Sequence, residues 1–340
     1  MAKKIGYSTY KLDNPVYIIG SGAMAGPKEA DGPFGKYFSR VAVDDTMGEK
    51  SYEKAERRML EETLFMGIRN AGLTEKQVDL FVGGDLLNQI VSANYTARAF
   101  NIPFLGVYGA CSTMAESLIV GSMFIDGNFG DVVACATGSH FSSSERQFRN
   151  PLELGSQRQT YSQWTVTGTG CSVLGRFGKG AKITHFTVGN VTDYGVLDIA
   201  NMGAAMAPAA MSTLVHFFKD TNTSPADYDL IVTGDLGKLG SDILRDLMAS
   251  KGYPLGQAYV DCGHSMYSTS QKTFQGGSGA GCSASVLNSY IVEKLNSGEL
   301  KKVIFMPTGA LMSTTTNQQG DSIPAVAHLV LLESEVNING

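Results

Sequence analysis

Val78-Asp-Leu-Phe-Val-Gly-Gly-Asp-Leu-Leu87 reads as a short buried strand opening into a glycine turn, and Tyr228-Asp-Leu-Ile-Val-Thr-Gly-Asp-Leu-Gly237 repeats it 150 positions later. Six of the ten positions are identical. Farther along, Thr137-Gly138 returns as Thr308-Gly309 and Cys111 as Cys282, both 171 positions apart. The same offset at two separate places marks a duplicated unit. The 21 additional positions (171 less 150) fall between Gly237 and Gly277, where Asp261-Cys-Gly-His-Ser-Met-Tyr267 lies. The chain therefore divides into two similar halves, 1–195 and 196–340, with a site expected between them.

Around the repeat, strands alternate with helices, which predicts an α/β fold built on parallel sheet. Strands are expected at 15–19, 78–82, 104–108, 131–137, 165–177 and 182–191 in the first half. In the second they are expected at 229–232, 258–262, 302–306 and 325–332. Helices are expected at 51–71, with Ser51 as cap and Gly72 as stop, and at 92–100, 112–125, 202–218, 241–249 and 277–295. Phe141 to Tyr161 is polar and aperiodic and reads as a loop over a pocket. Gly20-Ser-Gly22 after the first strand suggests a dinucleotide-binding turn. Its third glycine, Gly26, comes one place late, and Pro27, Asp31, Gly32 and Pro33 argue against the helix such a turn must open.

The composition narrows the function classes. Of the 340 residues, 43% are hydrophobic and only 17% charged, which suits a large interior. A net charge of −5 gives no basic surplus for nucleic acid or for an anionic bilayer. No apolar run reaches the ~20 residues that span a membrane, and the Met1-Ala-Lys-Lys-Ile-Gly6 start lacks a signal core, so the chain is expected to be soluble by itself. The five cysteines are odd in number and widely spaced, a pattern of reduced thiols and not of a disulfide framework. With no Cys-x-x-Cys, no His-x-x-x-His and no acidic cluster, neither a metal site nor a cofactor is expected.

Leu105-Gly-Val-Tyr-Gly-Ala-Cys-Ser-Thr-Met-Ala-Glu116 carries a strand into a small-residue turn and then a buried helix. Cys111 falls at the first turn of that helix, where backbone N–H groups favour a thiolate or bind an external anion; the ordinary alternative is a small buried thiol. Of the histidines, His264, after a Cys-Gly turn, and His140, after the 131–137 strand, are the ones expected to face the cleft. Asp85 and Asp235, at equivalent strand ends, are expected to cap the helices that follow.

The duplicated halves, the Cys111 turn and Gly277-Ser-Gly-Ala-Gly-Cys-Ser-Ala-Ser285 resemble the thiolase and ketoacyl-synthase superfamily over essentially the whole chain. More closely, the chain is similar to the stage V sporulation protein AD family. The resemblance implies a thiolase-like fold, five layers α-β-α-β-α with pseudo-twofold symmetry, and a homodimer. It implies binding of dipicolinic acid, pyridine-2,6-dicarboxylate, alone or as its calcium chelate, and a part in its uptake into the spore. The chain would then lie peripherally at the spore inner membrane or forespore surface, through protein partners of the uptake system.

By the same resemblance, Cys111 matches the acyl-carrying cysteine. The first residue of the His-Gln-Ala-Asn motif falls on Gly234, and the asparagine of Gly-Asn-Thr-Ser falls near Ser278. With both partners absent, binding is favoured over condensation. The alternative is an acyl-transferring or condensing enzyme that uses Cys111 with His264. The expected ligand contacts are Cys111, Ser112, His140, Gly234, His264, Lys272, Gly277, Ser278 and Gly279. In this set, backbone N–H groups near Ser112 and Gly277, hydroxyls and the Lys272 ammonium would receive the carboxylates.

Overall fold

The computed structural model describes residues 3–148 and 158–336. Its centre is a twelve-stranded sheet, ten strands in line and the short Lys3–Lys4 and Arg40–Val41 pairing off that line, in which the duplication is written as topology. The first half supplies Thr9–Ala25 (β1), Leu80–Asp85 (β2), Phe104–Gly106 (β3), Val132–Ser139 (β4) and Gly168–Gly175 (β5), standing in the order β3-β2-β4-β5-β1. Ala181–Thr187 (β6), which the 1–195 boundary placed in the first half, goes by topology with Leu230–Thr233 (β7), Tyr259–Asp261 (β8), Lys302–Met306 (β9) and Leu329–Ser334 (β10) of the second, in the order β8-β7-β9-β10-β6. Counted within each half, these are the same permutation. Strand directions repeat as well: β2 is parallel to β3 and β4, and β7 to β8 and β9. β5 is antiparallel to β4 and β1, and β10 to β9 and β6. The halves meet where β1 pairs antiparallel with β6. The sheet is thus mixed, not wholly parallel: its outer strands are joined by crossover helices, while β1 inserts between β5 and β6.

Three apolar cores separate the layers. On one outer face, Tyr52–Asn70 (α1) and Val91–Phe100 (α2) cover the first half, with Leu60, Leu64 and Ile68 of α1 packed on Phe81 and Val173. On the other, Met202–Thr221 (α5) and Gly237–Ser250 (α6) cover the second half, with Leu214, Phe217 and Leu244 packed on Ile304. Between them lie Thr113–Asp126 (α3) and Ala280–Val286 (α7), whose Met114, Leu118, Cys282 and Val286 share one core with Val133, Val232, Phe305 and Val330 from strands of both halves. The result is the expected helix–sheet–helix–sheet–helix order.

Two readings of the sequence are corrected. β1 does not stop before Gly20: it runs through Gly20 and Gly22 to Ala25. A Cβ on Gly20 would lie 2.5 Å from the Gly67 carbonyl, and one on Gly22 3.0 Å from the Met66 Cβ, so these glycines let α1 lie directly on the strand. The 141–161 segment is not all loop either, because Phe141–Phe148 forms a helix (α4) whose buried face is Ser142, Ser143, Ser144 and Glu145. A buried face made of hydroxyls has no apolar period to betray it. Residues 149–157 of that stretch lie outside the described residues. Capping of α1 agrees with expectation: the Ser51 hydroxyl accepts the Lys54 N–H at 3.4 Å.

Candidate functional site

Cys111 reaches its position through a strained turn. After β3 the chain arrives at Ala110 with φ of +50°, a conformation that costs an L-residue of order 1 kcal/mol or more, and then makes a short 3₁₀ turn into α3. Four local bonds hold the turn. The Ser112 N–H and hydroxyl both donate to the Gly109 carbonyl, at 2.9 and 2.7 Å, the Thr113 hydroxyl donates to the Ala110 carbonyl at 2.6 Å, and the Gly109 N–H donates to the Thr113 hydroxyl at 3.2 Å. Ser112 therefore supplies the turn and keeps no donor for a ligand, contrary to the sequence reading.

Cys111 opens onto a small cavity of about 40 Å³ between the halves. Leu86, Tyr108 and Cys111 come from the loops after β2 and β3, while Met202, Ser278 and Ala310 come from the second half. Gly279 stands beside Ser278 in the wall, and Phe148 and Met312 add apolar surface. Its polar groups are the hydroxyls of Tyr108, Ser144, Thr165 and Ser278 and the carboxylate of Glu145. Ser144 is 1% exposed and its hydroxyl has no partner, so it is a hydrogen-bonding group held ready in the wall. Glu145 accepts from the Thr165 hydroxyl at 2.9 Å and pairs with the Arg158 guanidinium at 3.3 Å. Arg158 in turn lies over the rings of Trp164 and Phe141, which stack 3.9 Å apart. The cation is thus placed behind the carboxylate, and among the described lining residues Glu145 is the one charged group.

Behind Cys111 stands an acid. The Cys111 thiol hydrogen-bonds to the Asp235 carboxyl, whose Oδ1 also accepts the Thr308 hydroxyl at 2.7 Å and its N–H at 3.3 Å. Burial pushes the Asp235 carboxyl up to about 7, against the lowering effect of those bonds. The expectation that Asp235 caps the next helix is corrected. That role belongs to Asp261, which accepts the N–H groups of Leu236 and Gly237, each at 2.9 Å, and the N–H of His264 at 2.8 Å. Asp85, by contrast, accepts from Leu87 and Ala93, both at 2.8 Å, across the entry to α2 as expected.

Gly234 has no room for a larger residue. A Cβ there would come within 2.8 Å of the Pro307 Cβ and 2.9 Å of the Ser283 Cβ. Its carbonyl accepts the Cys282 thiol at 3.1 Å and the Gly263 N–H at 3.1 Å. The counterpart of Cys111 is thereby made inert: Cys282 is buried, and its thiol is held well above the ordinary range by desolvation. Gly277 is buried just behind Ser278, its carbonyl taken up by Gln163.

The three distant candidates do not converge on Cys111. His140 is buried with both ring nitrogens engaged: Nδ1 accepts the Ser142 N–H at 3.2 Å, so the assigned tautomer has Nε2–H donating to the Asp45 carbonyl at 2.7 Å. Desolvation lowers its pKa, and its ring lies beside Tyr52. His264 is exposed on α6's side of edge strand β8, in a separate depression with Lys238 and Arg245. Lys272 is exposed in a left-handed turn, φ +55°. His264 lies in the one-turn helix Cys262–Met266 and Lys272 in a loop, and neither segment is long enough for a period that would fix which way its side chains face. Asp235, Ser144, Glu145 and Thr165 were not anticipated in the site. The recurrence of Gly-Asp at 84–85 and 234–235 was the available signal for the first, and the polar face of α4 hid Ser144 and Glu145.

Three comparisons place this geometry among known proteins. A model of the stage V sporulation protein AD family matches residues 6–333. The stage V sporulation protein AD of Bacillus subtilis (strain 168) is 44% identical over 331 residues, covering 97% of this chain and 98% of that one. Among solved structures, 3-oxoacyl-[acyl-carrier-protein] synthase III from Aquifex aeolicus VF5 aligns with a TM-score of 0.58 at 13% identity, over 94% of this chain and 99% of that one. An OleA variant from Xanthomonas campestris aligns at 0.60 with 10% identity, over 95% and 99%. At such identities the last two speak for the fold alone.

Proposed function

The chain belongs to the stage V sporulation protein AD family, and from that premise we propose that it binds dipicolinic acid in the Cys111 cavity and takes part in its uptake into the developing spore. The observation that carries this reading is the pairing of an intact cavity with a dismantled reaction centre. Where condensing relatives of this fold would place a histidine stands Gly234, walled in by Pro307 and Ser283, and the group that meets the thiol is the Asp235 acid. A carboxylate beside a thiol opposes thiolate formation, and each missing donor costs about 10²–10³ in rate. His264, required by the acyl-transfer alternative, lies in another depression.

At about 40 Å³ the cavity is well below the roughly 300–1,000 Å³ of typical small-molecule sites, so a ligand must displace lining side chains such as Phe148 and Met312 to enter. Leu86, Phe148, Met202 and Met312 offer a slot for a flat ring, and Tyr108, Ser144 and Ser278 offer hydrogen bonds to carboxylates. A bare dianion would meet Glu145 and Asp235 unfavourably. The calcium chelate, neutral at one metal per ligand, enters without that repulsion, so the chelate is the preferred form. Titration of the purified protein with dipicolinate in a calorimeter should give saturable heat, tighter with Ca²⁺ than without. A bulky Ser278→Phe should weaken it at least tenfold. No saturable heat under either condition would refute the reading, and a stable acyl adduct on Cys111 after incubation with acyl-CoA thioesters would favour the enzyme instead.

Uptake also needs a place in a membrane system. No helix among the described residues is long and apolar enough to cross a bilayer, so peripheral attachment at the spore inner membrane or forespore surface through protein partners is part of the same proposal. So is the homodimer. β3 is an edge strand with an open ladder, and Leu105 on it is half exposed, which suits pairing across a twofold axis.

A further inference from the structure

The segment from Val188 to Asn201, between β6 and α5, has no regular structure, yet it is firmly held. Thr192 and Ala325 exchange both backbone bonds at 2.8 Å, and the Ile323 N–H donates to the Val196 carbonyl at 2.8 Å. The Asn317 amide donates to the Leu197 carbonyl at 3.2 Å, and the Ser322 hydroxyl to Asp193 at 2.5 Å. A loop so constrained usually turns its apolar side chains inward. This one sends Val196 and Ile199 inward against the second-half core but leaves Val191 60%, Tyr194 63% and Leu197 58% exposed, and Tyr7, joined to it through Asn190, 59% exposed. A fixed strip of large apolar side chains in water is the signature of an interaction surface.

The loop's own charges have one sign, with the His216 ring against Tyr7 at its edge. Residues 188–201 contain Asp193 and Asp198 and no lysine, arginine or histidine, and exposed Asp321 adjoins Ser322 of the same contact. The Ser322 hydroxyl and the Gly195 N–H hold the Asp193 carboxyl below its usual range, and Asp198 accepts from the Tyr161 hydroxyl. We propose that this loop docks a basic, apolar-anchored segment of an integral membrane protein. The acidic rim disfavours direct contact with anionic headgroups. A second copy related by a twofold axis would bring the same aspartates face to face. A lysine- and arginine-rich segment flanking a membrane span meets both requirements, since such segments combine positive charge with adjacent apolar residues.

The inference rests on the membrane-partner half of the proposed function and is independent of the cavity's ligand. The test is flotation of the full chain with membranes from sporulating cells, with the same membranes after protease treatment, and with protein-free phosphatidylglycerol vesicles. The intact chain should float only with untreated membranes. Asp193→Lys/Asp198→Lys/Asp321→Lys and, separately, Tyr194→Ser/Leu197→Ser should each cut the floating fraction at least fivefold. Phe177→Ser, at an equally exposed aromatic outside the loop, should leave it unchanged. Flotation with the protein-free vesicles, full flotation of either loop variant, or a change in sedimentation mass of the Tyr194→Ser/Leu197→Ser protein would overturn the proposal. Dipicolinate heat measured on the same samples separates the readings: heat without flotation refutes docking alone, and flotation without heat refutes the ligand alone.

Discussion

Replacing Asp235 by asparagine isolates the buried acid behind Cys111 and has a pH signature of definite sign. The carboxyl moves from its ordinary 3.8 to about 7 in the folded protein because it is desolvated, so its ionisation is disfavoured there by about 4 kcal/mol relative to the unfolded chain. Below pH 4 both states hold the proton and no penalty exists. As pH rises the unfolded chain ionises first, and stability is lost progressively until about pH 7, above which the loss is constant. Asparagine keeps the size and leaves an oxygen for both Thr308 donors, while removing the charge. The variant should therefore match the wild type near pH 4 and exceed it by up to about 4 kcal/mol at pH 8, several degrees in melting temperature. Other buried acids, Glu29 and Asp85 among them, are present in both proteins and cancel. Thermal melts from pH 4 to 8 provide the measurement, and Cys111 alkylation, expected to be faster in the variant above pH 7, provides a second. Melting curves whose difference is the same at every pH would refute the assignment of a strained, desolvated carboxyl.

Gly234→Ala drives a methyl against Pro307 and Ser283 and should cost about 1–3 kcal/mol, read as a lower melting temperature; an unchanged value would mean that this wall yields. Leu105→Lys on the open edge of β3 should convert a dimer to a monomer in sedimentation without lowering the melting temperature of the fold, and a persistent dimer would move the interface elsewhere.

The fold was legible because its signals are local and repeated. The Val78 and Tyr228 decapeptides became β2 and β7 in matching places of the two half-sheets, and the Cys111 and Cys282 turns became the starts of the two central helices. What sequence did not disclose was facing. His140 and His264 follow strands of the correct kind, but one turns into a pocket of backbone carbonyl and amide and the other, in the one-turn helix Cys262–Met266, into solvent, because side-chain direction in segments this short is fixed by tertiary contacts. α4 was missed for a related reason: its interior is made of Ser143 bonded to Glu56, of Ser144 turned to the cavity and of Glu145 bonded to Thr165, so its buried side is polar.

On the proposed binding function, packing as much as residue identity keeps position 234 from serving condensation. A glycine alone could be reversed by one substitution. At position 234 the space itself is occupied, by Pro307 from the strand end of β9 and by Ser283 of α7, and the carbonyl is committed to Cys282 and Gly263. A histidine restored there would have to move elements of two layers, at a cost of overpacking the central core. Cys111 meanwhile keeps its strained turn and its opening to the cavity, features useless to a core thiol but suited to a ligand that approaches the start of α3. On the proposed binding function, one arrangement would account for both the cavity at Cys111 and the absence of condensing chemistry: Asp235 stands beside the thiol, and Pro307 and Ser283 fill the space at Gly234.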